Sequence, residues 1–208
     1  DEFDRHKNQI NVLLELLTQR FLDQNPYVRT KAIQSILKLC EIDGKFTKHR
    51  QSFMELTVRS LEDKSSLVRR NAVKLMSKLV LTHPFGALHG TQLPLTAWKK
   101  RLADAETELN KLEPPDDTEA VVKRNLEQQT MNQDDDDEDE EELASRIEKE
   151  SDNNAIFKLK LTIQYYHDAI AFIKLVHKGI EIVSQLLYSK NKNEVIETMD
   201  FFVLADAY

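Results

Sequence analysis

The feature that most constrains this chain is an internal repeat. LTQRFLDQNPYVRTKAIQSILKLC, from Leu17, lies over LTVRSLEDKSSLVRRNAVKLMSKLV, from Leu56. In the first half of the unit, Leu17, Thr18, Arg20 and Leu22 match Leu56, Thr57, Arg59 and Leu61 at an offset of 39. In the second half, Asp23, Val28, Arg29, Ala32, Lys38 and Leu39 match Asp63, Val68, Arg69, Ala72, Lys78 and Leu79 at an offset of 40. The slip of one residue falls in the turn between the halves, where an added residue disturbs no packing. Polar positions match along with apolar ones, so the same structural unit is used twice.

Each half has helical periodicity. Ile10, Leu13, Leu14, Leu17 and Phe21 recur at spacings of three and four in the first, and Val28, Ala32, Ile33, Ile36, Leu37, Leu39 and Cys40 in the second. Between them Asn25-Pro26 is a helix entry, with Asn able to cap free amides and Pro tolerated in the first turn. Ser65 or Ser66 is expected to cap in the second repeat, and helix exits are expected at Asp43-Gly44 and at His83-Pro84 with Gly86 close behind. A unit of about 40 residues built from two antiparallel helices is one layer of an α-solenoid. The expected fold is therefore all-α, with residues 1–90 forming two repeats.

Beyond Gly90 the pattern narrows. Leu95, Trp98, Leu102, Ala105, Leu109 and Leu112 form a heptad-like seam, so residues 91–113 are expected to be one long helix, capped at Thr96, that meets another helix of the chain. Residues 114–154 are poor in apolar side chains and are expected to form an acidic insert, disordered or loosely helical. From Ile156 to Tyr188 the apolar period resumes, predicting one long helix or two with a kink near Gly179. Asn191 and Glu194 are spaced as a capping box for a last helix, so residues 155–208 read as a long helix and part of a further repeat.

Charge divides the chain in the same way. Residues 134–142 read DDDDEDEEE, and the segment 113–152 holds 17 acids against 4 bases, net −13, so that the rest of a chain whose total is −7 carries +6. A mildly basic body is interrupted by a strongly acidic insert. The insert can be read as a solubilising segment, as a binder of basic partners such as histone tails, or as a competitor that folds back on the basic helices. Nine mobile carboxylates are a poor metal site, because nothing fixes their geometry. The single cysteine, Cys40, excludes an intrachain disulfide and favours a reducing compartment. The start, DEFDRHKNQ, carries neither an initiator Met nor a signal-peptide pattern, and FFVLADAY stops within an apolar periodic stretch. The chain is expected to be a segment of a longer one.

No phosphate loop, dinucleotide fingerprint, HExxH or GxSxG motif occurs, and no catalytic, cofactor-binding or metal-binding residue is expected. His83 and His89 flank a Pro-Gly break and are expected to be solvated or packed. The pairs Tyr165-Tyr166 and Phe201-Phe202 are expected in the solenoid core. The repeated turn acids and Val-Arg pairs (Asp23, Val28, Arg29, Asp63, Val68, Arg69) admit two readings. In one, Val is core and Arg pairs with a turn acid of its own or the adjacent layer. In the other, Arg69, Arg70, Lys74 and Lys78 form a basic ridge against DNA phosphates; positions 70, 74 and 78 share a helix face. Lys45, Lys48, His49, Arg50 and Arg59 add positive charge nearby in sequence.

FLDQNPYVRTKAIQSILKLC, LEDKSSLVRRNAVKLMSKLVLTHPF, LHGTQL and AIAFIKLVHKGIEIVSQLLYSKNKNEVIETMDFF resemble the central part of the HEAT-repeat condensin subunit 1 family, with NPYVR, EDKSSLVRRNA and the EVIE and MDFF strings the narrowest matches. The resemblance covers nearly everything except the acidic insert. It implies HEAT-type helix pairs and a non-enzymatic regulatory scaffold for mitotic chromosome condensation. That scaffold would dock on the kleisin and on the structural-maintenance-of-chromosomes (SMC) ATPase heads, which would hydrolyse the ATP. It further implies a hetero-oligomer in the nucleus and on chromosomes, with cytoplasm outside mitosis, near double-stranded DNA or chromatin; separately, no apolar run approaches the roughly 18 to 20 residues of a membrane helix, so no membrane partner is expected. The alternative is a HEAT-repeat adaptor of the nuclear-transport or histone-chaperone type whose acidic insert binds basic cargo. Deleting residues 116–152 is expected to leave the thermal transition almost unchanged; a large loss of stability in calorimetry would show that the insert packs.

Overall fold

A computed structural model describes residues 2–41, 47–86, 90, 92–112 and 140–206. Its helices are α1 (Glu2–Gln19), α2 (Pro26–Leu39), α3 (Thr47–Ser60), α4 (Ser66–Leu81), α5 (Leu95–Leu112), α6 (Glu140–Leu186) and α7 (Lys192–Ala205), with a 3-10 turn at Arg20–Leu22. No strand occurs among the described residues, and the fold is the all-α solenoid that the repeat predicts.

Two compact units divide the chain, one comprising Asp1–Leu95 with Asp168–Tyr208 and the other Thr96–His167. In the first unit, α1 and α2 form one layer, α3 and α4 the next, and α6 from Asp168 onward with α7 a third. Helix α4 packs against α3 within its layer and against α2 and α7 on either side. That middle position explains its composition: Val68, Ala72, Val73, Leu75, Met76, Leu79 and Val80 are all buried, more than one face of an isolated amphipathic helix would need. Phe53, Met54, Val58 and Leu61 from α3 and its exit, and Phe172, Ile173, Val183 and Phe201 from the third layer, complete the core. Burying each such side chain contributes about 1.5–3 kcal/mol before chain entropy is counted. The apolar face of α1 is only partly used: Leu14, and Phe21 in the 3-10 turn that follows, are buried, whereas Ile10 and Leu13 are exposed.

In the second unit Trp98 is fully buried, with Tyr165 and Tyr166 ring centroids each 6.0 Å away and the Arg101 guanidinium 5.1 Å over its ring. The seam of α5 thus meets α6, as its heptad spacing predicts. The tyrosine pair packs on Trp98 in this smaller core. Helix α5 starts at Leu95, directly after Pro94, so Thr96 lies inside it rather than capping it.

Helix α6 begins at Glu140, well before Ala155, so part of the segment expected to be an insert is helical. The run EEELASRIEKE explains the shift: Glu, Leu, Ala, Arg and Lys rank high in helix propensity, and charge alone did not reveal that. The rest of the insert, including most of the acidic run, lies outside the described residues. The helix continues unbroken through Gly179. Gly179 is instead a point of close approach, since a Cβ there would fall inside the Met76 thioether and 3.4 Å from Val58 Cγ2. Alanine at 179 should gain about 1 kcal/mol of helix propensity but lose about 1–3 kcal/mol to overpacking against fully buried Met76. Gly179→Ala is therefore expected to destabilise the chain in urea titration, and to stabilise it when Met76→Ala is already present.

Candidate functional site

The repeated turn residues build one device in each of the first two layers. In the first two layers the turn acid accepts a backbone amide two residues on: Asp23 Oδ1 from Asn25 N at 2.9 Å and Asp63 Oδ1 from Ser65 N at 2.8 Å. The helix that follows carries the arginine. Arg29 places Nη1 against the carbonyls of Asp23 and Gln24, at 2.7 and 2.9 Å, and so closes its own turn. Its Nε and Nη2 donate to the two carboxylate oxygens of Asp63, at 2.7 and 2.8 Å, and so reach the next layer. Arg69 repeats the arrangement, with Nη1 on the carbonyls of Asp63 and Lys64 at 2.8 and 3.2 Å. Its Nε and Nη2 donate to Glu194 at 2.6 and 2.9 Å. These are two-pronged guanidinium–carboxylate pairs, stronger and more directional than single hydrogen bonds. Of the valines that precede the two arginines, Val68 is fully buried and Val28 half-buried.

The third layer varies the device. Ser189 occupies the place of the turn acid and accepts from Asn191 N at 3.1 Å, while Glu194, in the first turn of α7, supplies the carboxylate and accepts from the Ser189 hydroxyl. Asn191 caps α7 by accepting from Asn193 N and Glu194 N. The Glu194 side chain does not reach back in a capping box; it is fully buried on Arg69. Asn25 caps α2 through Tyr27 N, whereas the Ser65 side chain makes no cap hydrogen bond. A second link between layers two and three runs from Asn191 Nδ2 to Ser66 Oγ at 3.1 Å.

Burial pushes the Asp63 carboxyl up, but the Arg29 hydrogen bonds, the Ser65 amide and the charges of Arg29 and Arg69 outweigh it and hold the group below its ordinary value. The Arg29 guanidinium is raised first by its hydrogen bonds to Asp63, and that of Arg69 by those to Glu194, each against desolvation.

The expected basic ridge is divided by this arrangement. Arg69 is committed to Glu194, and Lys74 sits 3.3 Å from Glu197 of α7. Arg70 and Lys78 are half-buried, and the Arg70 Nε is buried without a hydrogen-bond partner. Lys31 and Lys38 on α2, which that ridge does not include, are exposed, and Lys38 is the repeat counterpart of Lys78. Arg59 is exposed, Arg50 is buried, and His49 stacks on Phe53 and shares a 3.0 Å hydrogen bond with Asn11. Lys45, His89 and the Lys48 side chain lie outside the described residues. His83 is buried between Phe85 and Phe172 and accepts from Phe85 N at Nδ1. Among the described residues no group of three or more His, Cys, Asp or Glu could hold a metal ion, and no helix is long and apolar enough to cross a membrane. A groove of about 450 Å³ runs beside the first rung, bordered by Leu22, Arg59, Glu62 and Lys64.

A sequence model of the family described as non-SMC mitotic condensation complex subunit 1 matches residues 4–155. Condensin complex subunit 1 of Saccharomyces cerevisiae is 50% identical over 223 aligned residues, covering 99% of this chain and 19% of that protein. Its counterpart of the same name in Schizosaccharomyces pombe is 42% identical, covering 96% of this chain and 18% of that protein. Condensin-1 complex subunit CAP-D2 of Arabidopsis thaliana is 31% identical over 49% of this chain and 7% of its own length. The chain thus spans under a fifth of the curated relatives it matches.

Lowering the pH should expose the ladder's electrostatics. A carboxyl held below its ordinary value of 3.8 stabilises the fold fully above that value and loses the contribution as pH falls through the lower folded value. Asp63→Asn is expected to flatten the decline in stability between about pH 5 and pH 2, measured by urea titration at each pH. At neutral pH, Arg69→Ala should cost about 3 kcal/mol or more, because it strands buried Glu194, and more than Arg29→Ala, whose partner is partly exposed.

Proposed function

The chain belongs to the condensin subunit 1 family, and from that membership we propose that it is a length of non-enzymatic scaffold in the condensin complex, serving mitotic chromosome condensation. In this reading it docks the kleisin and the SMC ATPase heads, works in the nucleus and on chromosomes, and holds partner surfaces in register while the ATPases do the chemistry. The interlayer ladder is the observation that supports a scaffold: bidentate pairs fix the spacing and rotation of successive layers, and a surface that spans layers is useful to a partner only if those are fixed. Co-purification of the intact subunit carrying this segment with kleisin and ATPase heads tests it. Capture of both is expected, and a subunit that ignored both yet bound histones tightly would favour the cargo adaptor.

DNA binding is a finer part of the proposal, with carriers partly different from those that the sequence suggested. Arg69 and Lys74 have acidic partners, so the proposal assigns the phosphate contacts to Lys31 and Lys38 on α2 with Arg70 and Lys78 on α4. For every DNA phosphate that the protein ceases to neutralise, the slope of log affinity against log salt should shrink by about 0.9. Charge reversal at Lys31, Lys38 and Lys78 is expected to weaken DNA binding and flatten that slope in a fluorescence anisotropy titration. Reversal at Lys74 alone should do less, and an unchanged slope in the triple variant would leave these lysines as solvated surface.

A further inference from the structure

Arg50 is the buried cation that the ladder does not use. It sits in the first turn of α3 and is 5% exposed. Its Nη1 donates to Thr82 Oγ1, at the exit of α4, at 2.8 Å, and the Thr82 hydroxyl passes on a hydrogen bond to the Lys78 carbonyl at 2.7 Å. The Arg50 Nε is buried without a hydrogen-bond partner, and no carboxylate lies within ion-pair distance of Arg50 among the described residues.

The ladder arginines show what such a guanidinium accepts as a partner. Arg29 and Arg69 each give Nη1 to neutral oxygens and the edge bearing Nε to a carboxylate. Arg50 likewise gives Nη1 to a neutral oxygen, and its Nε edge is the one that an oxyanion fits. The surroundings push the same way. The first turn of a helix is the positive end of its dipole, which favours an anion and disfavours a bare guanidinium. Burial raises the Cys40 thiol most, while the charges of Arg50 and Lys78 pull it down and that of Glu41 pushes it up, so two cations and one acid act on that spot. A guanidinium buried with no counter-charge is unfavourable, and an anion relieves that cost.

We propose that Arg50, oriented by Thr82, binds one compact oxyanion of the phosphate class, at the edge of the second layer where α3 begins and α4 ends. The planar fork of Arg50 takes two oxygens.

Inorganic phosphate is the first probe. Thermal unfolding of the whole chain at pH 7 and constant ionic strength is followed as phosphate replaces chloride. A saturable rise of about 2–4 °C is expected. Arg50→Met should abolish the rise, and Arg50→Lys, which keeps the charge and loses the fork, should weaken it and provides a folded comparison if the Met variant does not fold. O-phosphoserine serves as a second probe: action at lower concentration than phosphate assigns the anion to a phosphorylated side chain, and equal action to the free ion. No phosphate-specific rise in the unaltered chain, or an equal rise in Arg50→Met, would overturn the site. So would a rise that appears only in Asp43→Asn, since the counter-charge would then be the chain's own.

Discussion

Arg29 and Arg69 each hold a layer to itself with one edge and to the next layer with the other. A solenoid layer touches only its neighbours, so nothing distant restrains the rotation between layers. Apolar packing supplies attraction there without direction, since hydrophobic burial depends on area and not on angle. Two parallel hydrogen bonds from a planar guanidinium supply the direction. The energy of each pair is modest beside the core, because the ions lose hydration on burial, and their contribution is therefore to register more than to total stability.

The repeat made most of this legible. Two copies of the turn acid and the Val-Arg pair marked the helix boundaries, the layer spacing and one of the two readings of the arginines. Sequence alone left open whether each arginine pairs inside its layer or across, because both acids are equally near in a repeated string. Glu194 was harder to see. The third layer replaces the turn acid with Ser189, and Val195 stands where the earlier layers have arginine, so the alignment that revealed two layers fails at the third. Its position three residues after Asn191 suggested a cap, a local explanation that a partner 125 residues away overrides.

Charge patterning was the weaker guide. Three cations at spacings of four on α4 predicted a stripe, yet Lys74 meets Glu197 on the neighbouring helix, and only the stacking of layers brings those residues together. The same limit applies to Arg50, whose burial depends on α4 ending beside the start of α3. Helix propensity within the acid-rich segment likewise outweighed its charge from Glu140 onward. In each case the residue types were visible and their neighbours were not.

The role of the ladder turns on whether the buried carboxylate of Glu194 orients the third layer. Native-state hydrogen exchange on a Glu194→Ala variant tests this most directly, because it reports each helix separately. The amides of α7 should lose protection while those of α2 and α3 keep theirs. Equal loss across all helices, or unchanged protection in α7, would show that apolar packing alone sets the register and would contradict the ladder.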